Sequence, residues 1–311
     1  MSTPLTINSV ETLEQALPII RKAQELYSTF SQEQVDAICE KSAMAVSKMR
    51  IPLAKMACEE TGYGIMVDKV TKNQYASEHV WNYMRNKKTC GVIEENKAFG
   101  TMRIASPKGV IAAITPTTNP TSTTIYKMLL ALKTRNAIIL SPHPHAVNCS
   151  IAAAKIIRDA AIEAGLPEHV ISWVSVPSLE ISDYLMKNVD LIMATGGSGM
   201  VKAAYSSGTP AIGVGPGNCN VVIDESADLR MAVESIIHSK TFDNGMICAS
   251  EQHITVLASV YDEVKRLLKE ARCYFLKDDE AAKVAEVFFN SKTHGVKPGA
   301  VGQTANRLAE M

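Results

Sequence analysis

The sequence predicts an α/β fold in which a doubly wound parallel sheet is followed by the start of a second α/β domain. Two observations predict it. Short apolar runs alternate along the chain with stretches of helical periodicity, and the runs are apolar throughout instead of alternating with polar residues. Strands of that kind are buried on both faces, as in parallel sheets that helices cover from both sides.

The amino-terminal part is predicted to be helical. Apolar residues recur at helical spacing in residues 9–50 and 64–86. Ser31 and Gln34 form a capping-box pattern that marks the start of one helix. The character then changes, and residues 99–104 are expected to form a strand that leads into a Pro-Lys-Gly turn.

The central part is predicted to supply the parallel sheet. Its apolar runs are residues 110–114, 137–140, 170–174, 191–194 and 211–214. Helical patterns separate them near residues 121–133, 145–164, 179–187 and 199–206. The second domain is predicted from a strand at 220–223, a helix near 228–240, a strand at 252–257, a helix at 259–271, a short strand and a helix at 279–289. The tail from Lys292 onward is expected to be a loop.

Composition and charge exclude several classes of function. Lysine plus arginine and aspartate plus glutamate number 32 each, so a zero net charge gives no electrostatic footprint for nucleic acid or an anionic membrane. No apolar run approaches the roughly 20 residues of a membrane span, and no signal peptide or myristoylation glycine opens the chain. We therefore expect a cytoplasmic protein with neither nucleic acid nor membrane as a partner.

The cysteines and histidines predict no metal site and no disulfide framework. The seven cysteines are odd in number, widely spaced and without a C-x-x-C pair. His143 and His145 stand two apart between prolines, for which a solvated turn is favoured over a metal. Cys248 lies between a glycine turn and a strand and could project into a cleft. Its local pattern alone favours a buried core cysteine.

Polar and glycine residues follow several predicted strands. Thr195-Gly196-Gly197 opens a helix after an apolar strand, but the pattern is not G-x-G-x-x-G, so a turn without a ligand stays equally open. The glycine run at 213–217 leads into a strand, which favours a structural turn. Asn119 before a proline is a helix-start signal. Its amide could also stabilise an oxyanion.

Together these segments resemble the aldehyde dehydrogenase superfamily in its CoA-acylating branch, and the aldehyde dehydrogenase half of bifunctional aldehyde–alcohol dehydrogenases in particular. The motif order carries the resemblance: Thr-Pro-x-x-Asn-Pro, Thr-Gly-Gly-Ser, Gly-Val-Gly-x-Gly and a later cysteine. Residues 212–218 and 242–252 carry most of its specificity. In the family's terms Cys248 matches the nucleophile, and Asn119 matches the asparagine that forms the oxyanion hole with the Cys248 backbone N–H. The cofactor-contacting residues it implies are Thr115, Pro116, Thr117, Ser141, Pro142, His143, Thr195, Gly196 and Gly197.

The resemblance implies an NAD-dependent oxidoreductase that converts a short aliphatic aldehyde and coenzyme A reversibly to acyl-CoA and NADH through a cysteine thioester. Hydrolytic relatives carry a glutamate that activates water where this chain has Gly213. With no carboxylate there to activate water, the thioester is expected to react with the CoA thiolate, which needs less activation than water. A hydrolytic aldehyde dehydrogenase is therefore disfavoured.

The resemblance also implies a domain organisation. Residues 1–240 would form the NAD-binding domain, with an oligomerisation hairpin near 97–110, and residues 241–311 a partial catalytic domain. Family members continue further, so the chain is expected to stop before this domain is complete. We expect a homo-oligomer or association with a full-length paralogue. An alternative stays open, in which the chain is a truncated, catalytically impaired paralogue or an assembly subunit that binds dinucleotide or full-length partners.

Overall fold

The structure, a computed structural model, describes residues 5–292 and 295–311 and confirms the α/β class. The strands are β1 (Gly91–Asn96), β2 (Thr101–Ala105), β3 (Val110–Ile114), β4 (Ala137–Ser141), β5 (Ile171–Trp173), β6 (Leu191–Thr195), β7 (Ala211–Val214), β8 (Cys219–Ile223) and β9 (Glu251–Val256). The helices are α1 (Val10–Ser28), α2 (Gln32–Lys48), α3 (Arg50–Thr61), α4 (Met66–Gln74), α5 (Val80–Met84), α6 (Pro120–Lys133), α7 (Val147–Glu163), α8 (Leu179–Asn188), α9 (Ser198–Ser206), α10 (Leu229–Thr241), α11 (Tyr261–Glu270), α12 (Asp278–Phe288) and α13 (Ala305–Glu310). A π-helical turn, Tyr75–His79, joins α4 to α5.

The chain divides into two compact units. The first comprises the residues up to Gly62 together with Lys69–Gly215, and the second comprises Tyr63–Asp68 together with the residues from Pro216 onward. The boundary predicted between residues 240 and 241 is a division by function, with NAD binding before it and catalysis after it. That division stays a prediction. No helix in the described ranges has the length and apolar character that crossing a lipid bilayer requires.

A five-stranded parallel sheet forms the centre of the first unit. Its order is β5-β4-β3-β6-β7, and every residue of β3 and β4 is buried. The apolar runs predicted this arrangement, since strands buried on both faces need no polar alternation. The chain proceeds outward from β3 to β5 and then returns to the other side of β3. The strand order therefore reverses between β3 and β6.

Helices cover both faces of this sheet. α6 and α7 contact β4 and β5 and pack against α2. Because parallel crossovers are right-handed, the reversal after β5 places α8 and α9 on the other face, where α1 contacts α8. The core under these helices is apolar, and the lysines buried within it are hydrogen-bonded. Lys133, which is 1% exposed, forms an ion pair with Asp36.

The predicted hairpin near 97–110 lies slightly earlier in the chain. β1 and β2 pair antiparallel from Gly91 to Ala105. Residues 97–100 form the turn between them, so the strand expected from Phe99 begins at Thr101. Gly100, the last residue of this turn, has a φ of 62°, a left-handed conformation that favours glycine. The role of this hairpin in oligomer formation stays a prediction.

The second unit contains the parallel pair β8 and β9 with α10 and α11. Ile223, Val233, Ile236, Val264 and Leu267 form its buried cluster. The short strand expected between α11 and α12 is absent from residues 271–277, where Arg272 has a φ of 66° and the segment pairs with no strand.

The tail contains more structure than the loop expected from Lys292. Thr293 and His294 lie outside the described residues. Pro298–Ala300 forms a 3-10 turn, and α13 follows because the Thr304 side chain accepts a hydrogen bond from the Arg307 backbone N–H. A threonine cap was visible in the sequence, but the helix it starts is too short to show periodicity.

Candidate functional site

A pocket of about 260 Å³ opens at the carboxyl edge of the five-stranded sheet. It lies where the strand order reverses, between the loops that follow β3 and β6. A doubly wound sheet binds its ligands at such a point, because the loops on either side turn away from each other and leave a crevice. The residues predicted to bind a cofactor that line this pocket are Thr115, Pro116, Ser141, Pro142, His143, Thr195, Gly196 and Gly197. Thr117 is not among the lining residues.

The Thr115 side chain shows that the pocket wall is suited to a polar ligand. The Thr115 backbone N–H donates to the Ser141 carbonyl at 3.2 Å, and this hydrogen bond joins the loops after β3 and β4. Its side chain is 2% exposed, and its Oγ1 has no hydrogen-bond partner in the part of the chain that the structure describes. A buried hydroxyl without a partner costs free energy, and ligand sites are where such a group is retained.

Lys127 holds the two strands on either side of this point. It lies on α6, is 3% exposed, and donates from Nζ to the carbonyls of Ile114 at 2.6 Å and Met193 at 2.7 Å. Burial lowers the pKa of Lys127 to about 7. The carboxyl ends of β3 and β6 are therefore cross-linked by one side chain. Sequence reasoning missed this residue, although a lysine within the apolar stretch of α6 was a sign of a buried partner.

His143 lines the β4 side of the pocket, and its ring forms a T-shaped pair with the ring of His145. The backbone N–H of His145 donates to Nδ1 of His143 at 3.1 Å, and the ring centroids are 5.3 Å apart. Burial, and secondly the neighbouring His145, lower the pKa of His143. The segment forms a 3-10 turn, Pro144–Ala146. Within the described ranges, no group of three or more His, Cys, Asp or Glu side chains is placed to hold a metal ion.

Asn119 is the N-cap residue immediately before α6, but its side chain makes no capping hydrogen bond to the helix. Its Oδ1 instead accepts a hydrogen bond from Lys72 Nζ at 2.7 Å, and its Nδ2 donates to Thr118 Oγ1 at 3.3 Å. Lys72 is 9% exposed, and its neighbour Lys69 donates to the Thr118 carbonyl at 3.0 Å. The helix start predicted from Asn119 and Pro120 is confirmed, but the Asn119 amide contacts Lys72 and Thr118 and does not contact the helix N–H groups. Lys69 and Lys72 were missed from the sequence.

Cys248 is more exposed to solvent than the other cysteines. The resemblance implied such a difference, whereas the local pattern favoured a buried cysteine. All seven lie within the described residues, and Cys248 alone is exposed. It follows a turn in which Asp243, Asn244 and Gly245 have φ values of 50°, 53° and 75°. Two consecutive non-glycine residues in the left-handed region are unfavourable, and such strain is typical of functional segments.

Side chains and backbone of the second unit hold this turn in place. The Asp243 carboxylate accepts from the Ile65 backbone N–H at 2.6 Å, and the Asp243 N–H donates to Asp68 Oδ2 at 2.7 Å. Asn244 Nδ2 donates to the Gly302 carbonyl at 2.9 Å. These contacts tie the segment before Cys248 to two distant parts of the sequence.

The glycine run that precedes β8 contains two positions that exclude a side chain. A Cβ at Gly213 would lie 2.7 Å from Cε2 of the Tyr205 ring and 2.8 Å from Cγ1 of Val201. A Cβ at Gly217 would lie 3.0 Å from the Cys248 carbonyl oxygen. Gly213 carries no carboxylate, and a larger residue there would require the Tyr205 and Val201 side chains to move.

Known proteins resemble this chain over almost its whole length. Residues 5–284 match the aldehyde dehydrogenase family. The aldehyde-alcohol dehydrogenase of Clostridium acetobutylicum is 52% identical over 307 residues, which are 99% of this chain and 35% of that protein. An acetylating aldehyde dehydrogenase from Geobacillus thermoglucosidasius is 43% identical with a TM-score of 0.91, covering 97% of this chain and 67% of that one.

A more distant structure carries a ligand. The propionaldehyde dehydrogenase of Rhodopseudomonas palustris, solved with bound CoA and an acylated cysteine, is 29% identical with a TM-score of 0.84, covering 99% of this chain and 70% of that one. The chain spans about a third of the length of the curated bifunctional relatives that it matches.

Proposed function

Because this chain belongs to the aldehyde dehydrogenase family, we propose that it is a CoA-acylating aldehyde dehydrogenase that acts through Cys248. A short aliphatic aldehyde, a nicotinamide dinucleotide and coenzyme A are converted reversibly to acyl-CoA and the reduced dinucleotide. The observation that carries the proposal is the exposed Cys248, presented by a strained and tightly held turn. The relatives named for acylating activity support the same reaction class.

Cys248 is the nucleophile in this proposal. Its thiolate adds to the aldehyde carbonyl carbon, and the two electrons of the C=O π bond move to the oxygen. Exposure lets an aldehyde reach the sulfur, whereas the buried thiols of Cys39 and Cys149 are out of reach. Burial also raises the pKa of Cys39 and Cys149, which keeps them as thiols.

Asn119 stabilises the oxyanion that this addition forms. An amide N–H group is a suitable donor because it is too weakly acidic to transfer its proton to the oxyanion and so only donates a hydrogen bond. Lys72 binds Oδ1 of the amide, which prevents a flip that would present an acceptor in place of the Nδ2 donor. In this assignment, which rests on the match of Asn119 to the family's motif, Asn119 is the donor to the oxyanion and Lys72 is a positioning residue.

The pocket at the carboxyl edge of the sheet holds the dinucleotide, for which we propose NAD. The bound nicotinamide ring supplies the hydride acceptor. Thr115, Ser141 and the glycine turn from Thr195 form the walls, and the buried Thr115 hydroxyl offers a hydrogen bond that no described residue uses. Lys127 keeps the β3 and β6 loops at a fixed separation.

Coenzyme A, and not water, releases the acyl group. Loss of hydride to the bound nicotinamide would leave the acyl group as a thioester on Cys248. The CoA thiolate sulfur attacks its carbonyl carbon, the new C–S bond forms, the C–S bond to Cys248 breaks, and Cys248 leaves as the thiolate. Water would need a general base. Gly213 supplies no carboxylate at the position where hydrolytic relatives carry one, and Tyr205 and Val201 pack against it there.

Reduction of NAD by acetaldehyde, followed with and without coenzyme A, tests this proposal. We expect CoA-dependent NADH formation by the wild type and by the control Cys273→Ala, and none by Cys248→Ala. Formation of free acid without a CoA requirement would indicate a hydrolytic enzyme. Retained NAD binding without turnover in any protein would support the binding-only alternative.

A further inference from the structure

The backbone carbonyl of Cys248 lies against the segment that opens β8. Cys248 stands in a turn that the Ser250 backbone N–H closes by donating to the Ile247 carbonyl at 3.1 Å. The Cys248 carbonyl accepts instead the thiol hydrogen of Cys219, at a sulfur–oxygen distance of 3.5 Å. A Cβ at Gly217 would lie 3.0 Å from the same oxygen. The start of β8 therefore packs closely on the backbone of the nucleophilic cysteine.

This contact brings the sulfur atoms of Cys219 and Cys248 into the same neighbourhood. A carbonyl oxygen lies about 2.4 Å from its own Cα, so the Cys219 sulfur is within about 6 Å of the Cys248 Cα. A disulfide needs Cα atoms about 4.4–6.8 Å apart. The exposed Cys248 side chain is able to rotate toward Cys219. Cys219 also precedes an irregular step in the β8–β9 register, so a small shift of this residue leaves the ladder from Asn220 onward intact.

The two thiols differ in the way that a redox-sensitive pair requires. Cys248 is exposed, so an oxidant reaches its sulfur first. Cys219 is half-buried, and its S–H group is engaged with the Cys248 carbonyl. An accessible reactive cysteine beside a second thiol that resolves its oxidised form is typical of redox-sensitive sites. Cys273 is the remaining cysteine of the second unit, and burial raises its pKa, which keeps it an unreactive thiol.

We propose that Cys219 and Cys248 form a reversible disulfide when the chain meets a hydroperoxide, and that this bond protects the nucleophile from irreversible oxidation. The pair is a modification site in addition to the proposed acyl transfer. Its formation needs neither aldehyde nor dinucleotide, so it holds or fails independently of that reaction.

The oxidation takes place in two steps. The Cys248 thiolate attacks one peroxide oxygen, an S–O bond forms, the O–O bond breaks, and the other oxygen takes up a proton and leaves as an alcohol or as water. Cys248 is thereby oxidised to a sulfenic acid and the peroxide is reduced. The Cys219 thiolate then attacks the sulfenic sulfur, the S–S bond forms and the S–O bond breaks. The proton released by Cys219 converts the leaving hydroxide to water.

Cys219 decides whether this oxidation is reversible. Without a second thiol, the sulfenic acid on Cys248 meets another peroxide molecule and becomes a sulfinic acid, which dithiols do not reduce. A disulfide is instead broken by a dithiol through thiol–disulfide exchange, and both thiols are recovered. Reaction with Cys219 therefore preserves the nucleophile.

Peptide mapping of the full chain after treatment with hydrogen peroxide tests the proposal. The wild-type protein is treated at low concentration, its remaining thiols are alkylated, and it is digested without reductant. We expect a cross-linked pair of peptides that contain Cys219 and Cys248, with one hydrogen atom lost from each thiol. Subsequent treatment with a dithiol should remove the cross-link and make both thiols available for alkylation.

Cys219→Ser is the decisive variant, because its hydroxyl keeps a donor for the Cys248 carbonyl and removes the sulfur. After the same treatment we expect sulfinic acid on Cys248 and loss of its recovery by dithiol. Cys219→Ala should give the same result, and Cys273→Ala, the control, should behave as the wild type. Before oxidation, Cys248 should react with a thiol reagent at the wild-type rate in all three variants, which shows that the turn is intact.

The outcomes separate this inference from the proposed function. Sulfinic acid on wild-type Cys248 without a cross-link would overturn the inference and leave Cys219 with its hydrogen bond alone. A disulfide between the Cys248 residues of two copies, or between Cys248 and Cys273, would overturn the assignment of Cys219. None of these results bears on acyl transfer by Cys248. An intact cross-link in a chain that transfers no acyl group would count against the proposed function alone.

Discussion

At the scale of single residues, buried lysines organise the first unit around its pocket. Lys127 joins the carboxyl ends of β3 and β6, and Lys72 sets the orientation of the Asn119 amide. Asn119 was identified from its motif and is the N-cap residue that the sequence indicated, but its side chain contacts Lys72 and Thr118 instead of the helix N–H groups. Which carbonyl or amide a lysine meets depends on elements far away in the chain, so these contacts could not be predicted.

Lys127→Met is expected to change how stability depends on pH. Its pKa in the folded chain is about 7, below the value of about 10.4 in an unfolded chain, so between these values the unfolded state binds more protons and stability rises with pH. The wild type should therefore gain stability relative to Lys127→Met as pH increases above 7, by on the order of 1 kcal/mol per unit at most. Urea unfolding of both proteins measures this. A difference that stays constant with pH would show that Lys127 remains charged when buried.

Lys72→Met is expected to lower kcat by about tenfold or more, because the Asn119 amide loses the contact that keeps Nδ2 as its donor. The KM for the dinucleotide should change little, since Lys72 does not line the pocket. Lys72→Arg, which keeps a donor, should recover part of the rate. Equal loss in both variants, or a rise in dinucleotide KM that accounts for the whole effect, would contradict a positioning role.

At the scale of elements, the sequence was most informative where strands are buried on both faces. The runs predicted for β3, β4, β6 and β7 agree with the structure to within one residue at each end, because a fully buried parallel strand must be apolar throughout. The predictions failed where one glycine or one cap decides the outcome. Gly100 moves the start of β2, and Thr304 starts a helix too short to show a period.

The turn from Phe242 to Gly245 is the element that presents Cys248, and Asp243 is its anchor. Asp243→Ala removes the acceptor of the Ile65 N–H and should destabilise the chain by about 2 kcal/mol, the typical cost of losing a charged hydrogen-bond partner. It should also lower the rate at which Cys248 reacts with a thiol reagent or with substrate. Asp262→Ala, on the exposed first turn of α11, is the control. An unchanged midpoint of urea unfolding would contradict the anchoring role.

At the scale of the whole molecule, sheet topology explains why residues far apart in sequence line one pocket. The loops after β3, β4 and β6 meet because parallel strands present their carboxyl ends at one edge and the strand order reverses there. Residues placed after predicted strands were therefore the part of the site that sequence could predict, with Thr117 outside the lining. The exposure of Cys248 was not predictable locally, since the turn before it is held by contacts of Asp243 and Asn244 with distant parts of the chain.

The central claim is that Cys248 carries the acyl group, and one measurement addresses it directly. The chain is incubated with acetyl-CoA in the absence of dinucleotide, and its intact mass and digested peptides are measured. We predict the addition of a single acetyl group to Cys248, reversed by excess coenzyme A and absent from Cys248→Ala. Acetylation of another residue, or none on Cys248 in a correctly folded chain, would contradict the account.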